Sequence, residues 1–144
     1  MKVSEAMTKD VMLANPAQSI CDAAKMMADC DAGVLPVSEN DRLVGVITDR
    51  DIAIRAVAEH KSPDTPVREV MSKEVLYCFE DDDVQKIAKN MAEQQIRRLP
   101  VVNRDKRLVG IVSIGDLARK DSGSAGEAVM GISKPGGAHS QTAH

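Results

Sequence analysis

The chain has 144 residues, a formal net charge of −3, 43% hydrophobic residues and 28% charged residues. This composition is typical of a soluble globular protein and lacks the basic excess of a nucleic-acid-binding domain. Because there is one Tyr, one Phe and no Trp, the core must be built from aliphatic residues, Met and Ala. The N-terminal residues do not form an apolar signal segment, and no run approaches the ~18 apolar residues of a membrane helix. We therefore expect a soluble, cytoplasmic protein with no membrane contact.

The first sixty residues predict a β-α-β-β-α unit. A short apolar stretch at residues 11–13 predicts a strand, and strands are also expected at residues 34–37 and 43–48. A second helix is expected from about residue 51 to 59. The first helix is predicted by one apolar stripe at i, i+3, i+4, i+7 and i+8 spacing, formed by Ile20, Ala23, Ala24, Met27 and Ala28.

The second half of the chain repeats the first. Residues 3–7 return as residues 67–71, and Leu-Pro-Val at residues 35–37 returns at residues 99–101, in both cases 64 positions later. The second copy therefore predicts strands at 75–77, 99–102 and 108–113, with a final helix at 116–120. Its apolar helical stripe consists of Val84, Ile87, Ala88, Met91 and Ala92.

The repeat defines the domain organisation. We predict unit 1 at residues 1–60, a proline-containing linker at 61–66, unit 2 at 67–120 and a flexible tail at 121–144, with one or two helical turns at 126–132. One unit of about 55 residues would have a marginal core. The fold class expected is therefore α/β (α+β), with the two repeated β-α-β-β-α units packed as one pseudo-twofold module with two equivalent clefts.

The three cysteines, Cys21, Cys30 and Cys78, are odd in number and have no CxxC spacing. We expect small buried hydrophobic residues in a reducing compartment, with redox sensing as the alternative.

One motif recurs at matched places in the two repeats. Residues 45–51 and 110–116 both read Gly-apolar-x-[Thr/Ser]-x-x-Asp, which pairs Thr48 with Asp51 and Ser113 with Asp116. Each pair lies where a strand meets a helix, so ordinary helix capping is one interpretation. The other is ligand binding, since the carboxylate can accept hydrogen bonds from a ribose diol and the hydroxyl can bind a ribose or phosphate oxygen. The duplication favours a ligand site.

The duplicated unit, the Leu-Pro-Val segments and the recurring motif resemble tandem cystathionine-β-synthase (CBS) domains over residues 1 to about 120. Residues 48–52 are similar to the stand-alone bacterial CBS pairs of the hypoxic-response type. The resemblance implies a sensor, or Bateman module, that binds AMP, ADP, ATP, NAD(H) or S-adenosylmethionine between the two units. It assigns ribose to Asp51 and Asp116, and ribose or phosphate to Thr48 and Ser113.

The same resemblance implies a flat homodimer and signalling to an unidentified effector protein. The predicted interface surfaces are the helices that follow Asp51 and Asp116 and the helices at Ile20 and Val84. No obligatory cofactor and no metal are expected, because the adenine nucleotide would act as a regulatory ligand.

Basic residues distinguish the two copies. Arg97 and Arg98 match positions from which, in kinase-associated CBS proteins, basic side chains reach nucleotide phosphates; alternatively, they form a solvated pair at a strand start. The first repeat has Ala32 and Gly33 at the positions of Ile96 and Arg97, so the two clefts should differ in ligand preference. Apolar contacts to the base are expected from a set near the strand ends, namely Ala14, Ala32, Gly33, Cys78 and Ile96.

Two other functions remain open. A structural or protein-interaction module with empty clefts is the main alternative. An enzyme is disfavoured, because there is no nucleophile elbow, P-loop or metal spacing and a Cys–His pair would have to use Cys78.

Overall fold

In the computed structural model, which describes residues 1–120 and 122–132, each repeat contains an eleven-residue amphipathic helix followed by two neighbouring strands and a further helix. This mixture of helices and small sheets confirms the predicted α+β fold. The described residues divide into two compact units. We name them the first-repeat unit and the second-repeat unit, after the repeat that supplies most of each.

The first-repeat unit comprises Met12–Val75 with Lys106–Leu108. Its elements are α2 (Ile20–Cys30), strands β1 (Val34–Glu39) and β2 (Arg42–Thr48), helix α3 (Asp49–Asp51) continuing as a π-helix (Ile52–Val57), and a 3₁₀ turn (Val67–Glu69). The two strands pair antiparallel, with a register shift between Val37 and Ser38. Helix α2 begins where the Ser19 hydroxyl accepts a hydrogen bond from the Asp22 N–H.

The second-repeat unit comprises Met1–Val11, Leu76–Asp105 and the described residues from Val109 onward. Its elements are α1 (Val3–Ala6), β3 (Cys78–Phe79), α4 (Val84–Gln94), β4 (Arg98–Val102), β5 (Leu108–Ser113), α5 (Ile114–Lys120) and α6 (Ser122–Ile132). The strands form a sheet in the order β3-β4-β5, in which β3 runs parallel to β4.

The segment that leads into each repeat packs in the compact unit of the other repeat. Thr8 forms an antiparallel bridge with Ile111, and Ser72 forms one with Val46. These two bridges explain why the recurring motif begins with glycine, at Gly45 and at Gly110. A Cβ on Gly110 would lie 2.7 Å from the Thr8 carbonyl oxygen, and a Cβ on Gly45 would lie 2.8 Å from that of Ser72. Glycine is therefore required where the lead-in backbone crosses the strand.

The hydrophobic stripe predicted for α4 is buried at Val84, Ile87, Ala88 and Met91. In α2, by contrast, Ile20, Ala23 and Met27 are buried, whereas Ala24 and Ala28 are exposed. Each helix packs into a separate aliphatic core, in which Leu35 and Leu99 occupy matched places.

The strands predicted at residues 11–13 and 75–77 are wrong by about three positions. Backbone pairing begins at Ala14, which bridges to Val37, and at Cys78, which opens β3. The apolar residues just before them lie at the surface, with Met12, Leu13, Leu76 and Tyr77 each 39–40% exposed. Their hydrophobicity suggests a strand, but only the residues that reach β1 or β4 find a backbone partner.

Beyond α5 the chain forms α6, which packs against α4 and α5. The sequence suggests a mobile tail here with a short helix at 126–132, whereas the helix covers Ser122–Ile132. The remaining tail positions, residues 133–144, lie outside the described residues. None of the described helices combines the length and the hydropathy that a bilayer-crossing segment requires.

Candidate ligand-binding site

A cavity of about 500 Å³ lies in the second-repeat unit, where β4 begins and β5 passes into α5. It brings together three of the predicted site residues, Arg97, Arg98 and Ser113. The rest of its lining consists of Ile114, Gly115, Arg119, Val129 and Ile132. The cavity therefore combines cationic, hydroxyl and aliphatic groups.

Three arginines give this cavity its charge. Arg97 and Arg98 are exposed, and the Arg119 side chain is 66% exposed. The carbonyl oxygen of Arg97 accepts a hydrogen bond from the Ile114 N–H at 3.0 Å, which fixes the start of β4 against α5. Guanidinium groups can bind a phosphate or carboxylate in a bidentate manner. The cluster is a local cationic site in a chain whose net charge is −3.

Ser113 and Asp116 form a capping box at the start of α5. The Ser113 N–H donates to Asp116 Oδ2 at 2.9 Å, and the Asp116 N–H donates to Ser113 Oγ at 3.1 Å. The other carboxylate oxygen, Oδ1, accepts from Thr8 Oγ1 at 3.3 Å and from the Arg119 guanidinium. Asp116 is only 3% exposed and does not line the cavity.

Thr48 and Asp51 form the matching capping box in the first-repeat unit. The Thr48 N–H donates to Asp51 Oδ2 at 3.0 Å, and the Asp51 N–H donates to Thr48 Oγ1 at 2.9 Å. Asp51 Oδ1 lies 4.0 Å from Arg55, and the Asp51 side chain is 19% exposed. The capping interpretation therefore holds in both copies, while Asp51 is the more accessible of the two aspartates.

The position that carries Arg97 in the second repeat has a different character in the first. Gly33 accepts the equivalent backbone hydrogen bond, from the Asp49 N–H at 2.9 Å. A Cβ on Gly33 would lie 2.9 Å from an Asp49 carboxylate oxygen, so an acidic side chain lies against this glycine. At this position the first-repeat corner therefore has a carboxylate, whereas the second-repeat corner has an arginine.

None of the predicted base contacts is among the residues that line this cavity. Ala14 is 1% exposed and Cys78 is 2% exposed, and each belongs to its unit's core. The Cys78 thiol lies 3.8 Å from the Pro100 carbonyl oxygen. Burial and the nearby Asp82 charge raise the pKa of the Cys78 thiol to about 12, which keeps it protonated and unsuited to nucleophilic catalysis. Ile96 is partly buried against the same core, whereas Ala32 is half-buried and Gly33 is exposed.

Sequence reasoning missed Arg119, Ile114, Gly115 and the two α6 residues of the cavity. Arg119 lies one helical turn after Asp116, a spacing at which opposite charges meet, so its ion pair had a detectable signal. Val129 and Ile132 had none, because α6 lies outside the repeated segments and has no counterpart in the first repeat.

The cysteines and acidic residues do not form a metal site among the described residues. Cys21, Cys30 and Cys78 are free thiols. The prediction of buried cysteines holds for Cys78, but it is wrong for Cys30, which is exposed at the last residue of α2, and Cys21 is intermediate.

The CBS domain family model matches residues 3–57 and 67–123, so the chain belongs to the CBS domain family. It is 42% identical over 133 residues to the CBS domain-containing protein YhcV of Bacillus subtilis, covering 91% of this chain and 94% of that protein. It is 36% identical over 104 residues to hypoxic response protein 1 of Mycobacterium tuberculosis, covering 71% and 72%. The predicted family and its hypoxic-response resemblance are thereby confirmed.

Two solved structures with bound ligands share this fold. The CBS domain pair of MJ0100, in complex with 5′-methylthioadenosine and S-adenosyl-L-methionine, superposes with a TM-score of 0.73 at 32% identity, covering 85% of this chain and 97% of that one. CBSX2 in complex with AMP superposes with a TM-score of 0.74 at 26% identity, covering 85% and 96%. CBS pairs similar to this chain thus bind adenosyl ligands.

Proposed function

We propose that this protein is a regulatory module that binds an adenine nucleotide, with the ligand's phosphate held in the cavity by Arg97, Arg98 and Arg119. The observation that carries the proposal is that three arginines line one cavity in a chain of net charge −3. Ligand pockets usually measure about 300–1,000 Å³, and the cavity of about 500 Å³ lies within that range.

The solved neighbours support adenine as the base. AMP is the ligand of CBSX2, and it combines the adenosyl group of the MJ0100 ligands with one phosphate. AMP, ADP, ATP and NAD(H) all offer an anionic group for the arginine cluster, whereas S-adenosylmethionine has no phosphate. We therefore expect the second-repeat cavity to prefer a phosphorylated ligand.

The two aspartates would contact a ribose under different conditions. Asp51 Oδ1 lies 4.0 Å from Arg55, and its partly exposed carboxylate offers this oxygen to a ribose hydroxyl. Both oxygens of Asp116 already accept hydrogen bonds from protein groups. A ribose at Asp116 would have to replace the hydrogen bond from Arg119 or Thr8. Of Ser113 and Asp116, Ser113 is therefore the residue accessible from the cavity.

The first-repeat corner favours a ligand of lower negative charge. Asp49 and Asp51 both lie in the first turn of the helix there, and Gly33 occupies the position of Arg97. The carboxylates would repel a phosphate but attract a sulfonium cation. We infer that this corner prefers an uncharged or cationic adenosyl group, such as that of S-adenosylmethionine, and binds AMP weakly.

Calorimetry with AMP tests the arginine cluster. Because a hydrogen bond to a charged group contributes about 1.5–3 kcal/mol, the double variant Arg97→Ala/Arg98→Ala should lose AMP affinity by about 100-fold or more. Arg50→Ala is the control, since it removes an exposed arginine from the first-repeat corner. We expect it to leave the tighter AMP site unchanged within about twofold. Unchanged AMP binding in the double variant would contradict the proposal.

A ligand-free interaction module is the second candidate, and exposed apolar residues of the first-repeat unit favour it. Ile54 and Val57 on the π-helix are 51% and 67% exposed. They lie on one of the helices predicted to form a homodimer interface. Sedimentation equilibrium with and without AMP tests self-association, which, like signalling to an effector, stays a prediction from the resemblance. Cytoplasmic location stays a prediction from the N-terminal sequence. Absence of binding to every adenosyl ligand, with the fold intact, would favour this candidate.

A further inference from the structure

Helix α6 forms one side of the cationic cavity. It packs against α4 and α5, and it places Val129 and Ile132 in the cavity lining. Ile132 also packs against the core of the second-repeat unit. The arginines and the two α6 side chains therefore share one cavity, so the anionic part and the apolar part of a ligand would meet different chain segments.

The docking of α6 depends on one close approach. Gly131 faces Ala92 of α4, and a Cβ built on Gly131 would overlap the Ala92 Cβ and Cα and lie 2.6 Å from its carbonyl oxygen. Gln95 adds a hydrogen bond from Nε2 to the Gly131 carbonyl oxygen at 3.2 Å. Because the obstacle to a side chain at position 131 is largely backbone, α6 can only dock in this way with glycine there.

We infer that α6 is the base-binding wall of the nucleotide site: Val129 and Ile132 contact the adenine while the arginines hold the phosphate. This inference rests on the proposed function and deepens it, because it names the residues that select for a base. From the repeated motif, Ile114 alone adds an aliphatic side chain to the lining of this cavity, and the predicted base contacts Ala14 and Cys78 are buried in the cores.

Ligand binding and α6 docking must then be coupled. A ligand that contacts the docked helix stabilises docking by the same factor by which docking increases affinity. Saturating AMP should therefore slow amide hydrogen exchange in α6 of the wild-type protein. Ribose 5-phosphate, which keeps the phosphate and lacks the base, should slow it much less.

Two glycine substitutions in α6 test the coupling with matched chemistry. Gly131→Ala forces the helix off Ala92, whereas a Cβ at Gly126 meets no heavy atom within 4 Å. Both changes raise helix propensity equally, so they differ only in docking. We expect Gly131→Ala to weaken AMP binding about tenfold and to accelerate exchange in α6, while Gly126→Ala changes AMP affinity less than about twofold.

Ile132→Ser tests the base contact itself. It should weaken AMP binding about fivefold and leave ribose 5-phosphate binding within about twofold of wild type. An equal loss of affinity for AMP and ribose 5-phosphate in Ile132→Ser would contradict the base-binding role of α6. So would an unchanged AMP affinity in Gly131→Ala. Neither result would contradict phosphate binding by the arginines. A wild-type protein that binds neither ligand defeats the proposed function, and the inference with it. Circular dichroism of each variant verifies that the rest of the fold is retained.

Discussion

The two strand-to-helix corners share one backbone design but differ in their charged residues. In each, a hydroxyl residue and an aspartate cap the helix reciprocally. A backbone hydrogen bond of 2.9–3.0 Å also joins the helix start to the residue just before β1 or β4. The residue that accepts this bond is Gly33 in one corner and Arg97 in the other. The residue that donates it is Asp49 in one and Ile114 in the other.

This difference separates what the motif does for folding from what it does for binding. The capping box and the motif glycine have structural explanations in both copies, in the helix start and in the crossing of the lead-in segment. The difference in charge comes from the arginines that line the cavity, which lie outside the motif, and from Asp49, which occupies one of its variable positions. Ligand preference can therefore diverge between the repeats while the fold of each remains the same.

The largest expected contrast is in stability. Asp116→Ala removes acceptors from the Ser113 N–H, Thr8 and Arg119 at a site that is 3% exposed, whereas Asp51→Ala mainly removes a helix cap. We expect losses in the free energy of unfolding of about 3 kcal/mol and about 1 kcal/mol, respectively. Urea denaturation measures both values.

An isosteric variant separates the shape of Asp116 from its charge. Asp116→Asn retains an acceptor for the Ser113 N–H, so it should lose less stability than Asp116→Ala. The contrast between the corners is wrong if Asp51→Ala costs as much as Asp116→Ala.

A charge transplant gives the next largest effect. Gly33→Arg with Asp49→Ile copies Arg97 and Ile114 into the first repeat and removes the carboxylate that lies against Gly33. We expect the affinity of the weaker AMP site to rise about tenfold, because one charged hydrogen bond is gained and one repulsion is lost. Titration calorimetry detects this as a second binding event.

Asp49→Ile alone is the control for the transplant, since it removes the repulsion and adds no guanidinium. If the double variant binds AMP no better than this control, the charge difference does not explain the difference between the corners.

The fold followed from the sequence because the repeat shows which residues are equivalent, and apolar periodicity then identifies the helices twice over. The hydrogen-bonded strands β1, β2, β4 and β5 were expected within about two residues of their observed bounds. Residues 11–13 and 75–77 were misassigned because hydrophobicity alone does not report which residue reaches a partner strand. The residues that do reach a partner strand are Ala14 and Cys78, each of which directly follows the misassigned segment.

The site was predictable only where it belongs to the repeat. Arg97, Arg98 and Ser113 line one cavity, and their roles in ligand binding stay a prediction. The α6 side of that cavity was unpredictable, because a helix outside the repeat has no internal counterpart and its docking depends on the contact of Gly131 with Ala92. Nor does the motif reveal that Asp116 is engaged by Thr8, which is more than a hundred positions away in the chain.

The smallest expected effect concerns matched core positions, Ala14 in the first repeat and Cys78 in the second. Burial raises the pKa of the Cys78 thiol from 9.0 to about 12 in the folded protein. The contribution of the Cys78 thiol to stability is therefore fully present below pH 9. It is lost as the pH rises from 9 towards 12, because in that range the thiol ionises in the unfolded chain but not in the folded protein. Between pH 8 and pH 10 this should cost about 1 kcal/mol.

Cys78→Ala makes the second core resemble the first and should remove that part of the alkaline loss of stability. Guanidinium denaturation of wild type and variant at pH 8 and pH 10 measures the difference, and Cys30→Ser, which removes an exposed thiol, is the control. An alkaline loss of equal size in wild type and Cys78→Ala would mean that the thiol ionises as readily in the folded core as in the unfolded chain. The second core would then be open to water at β3, unlike the first core at Ala14.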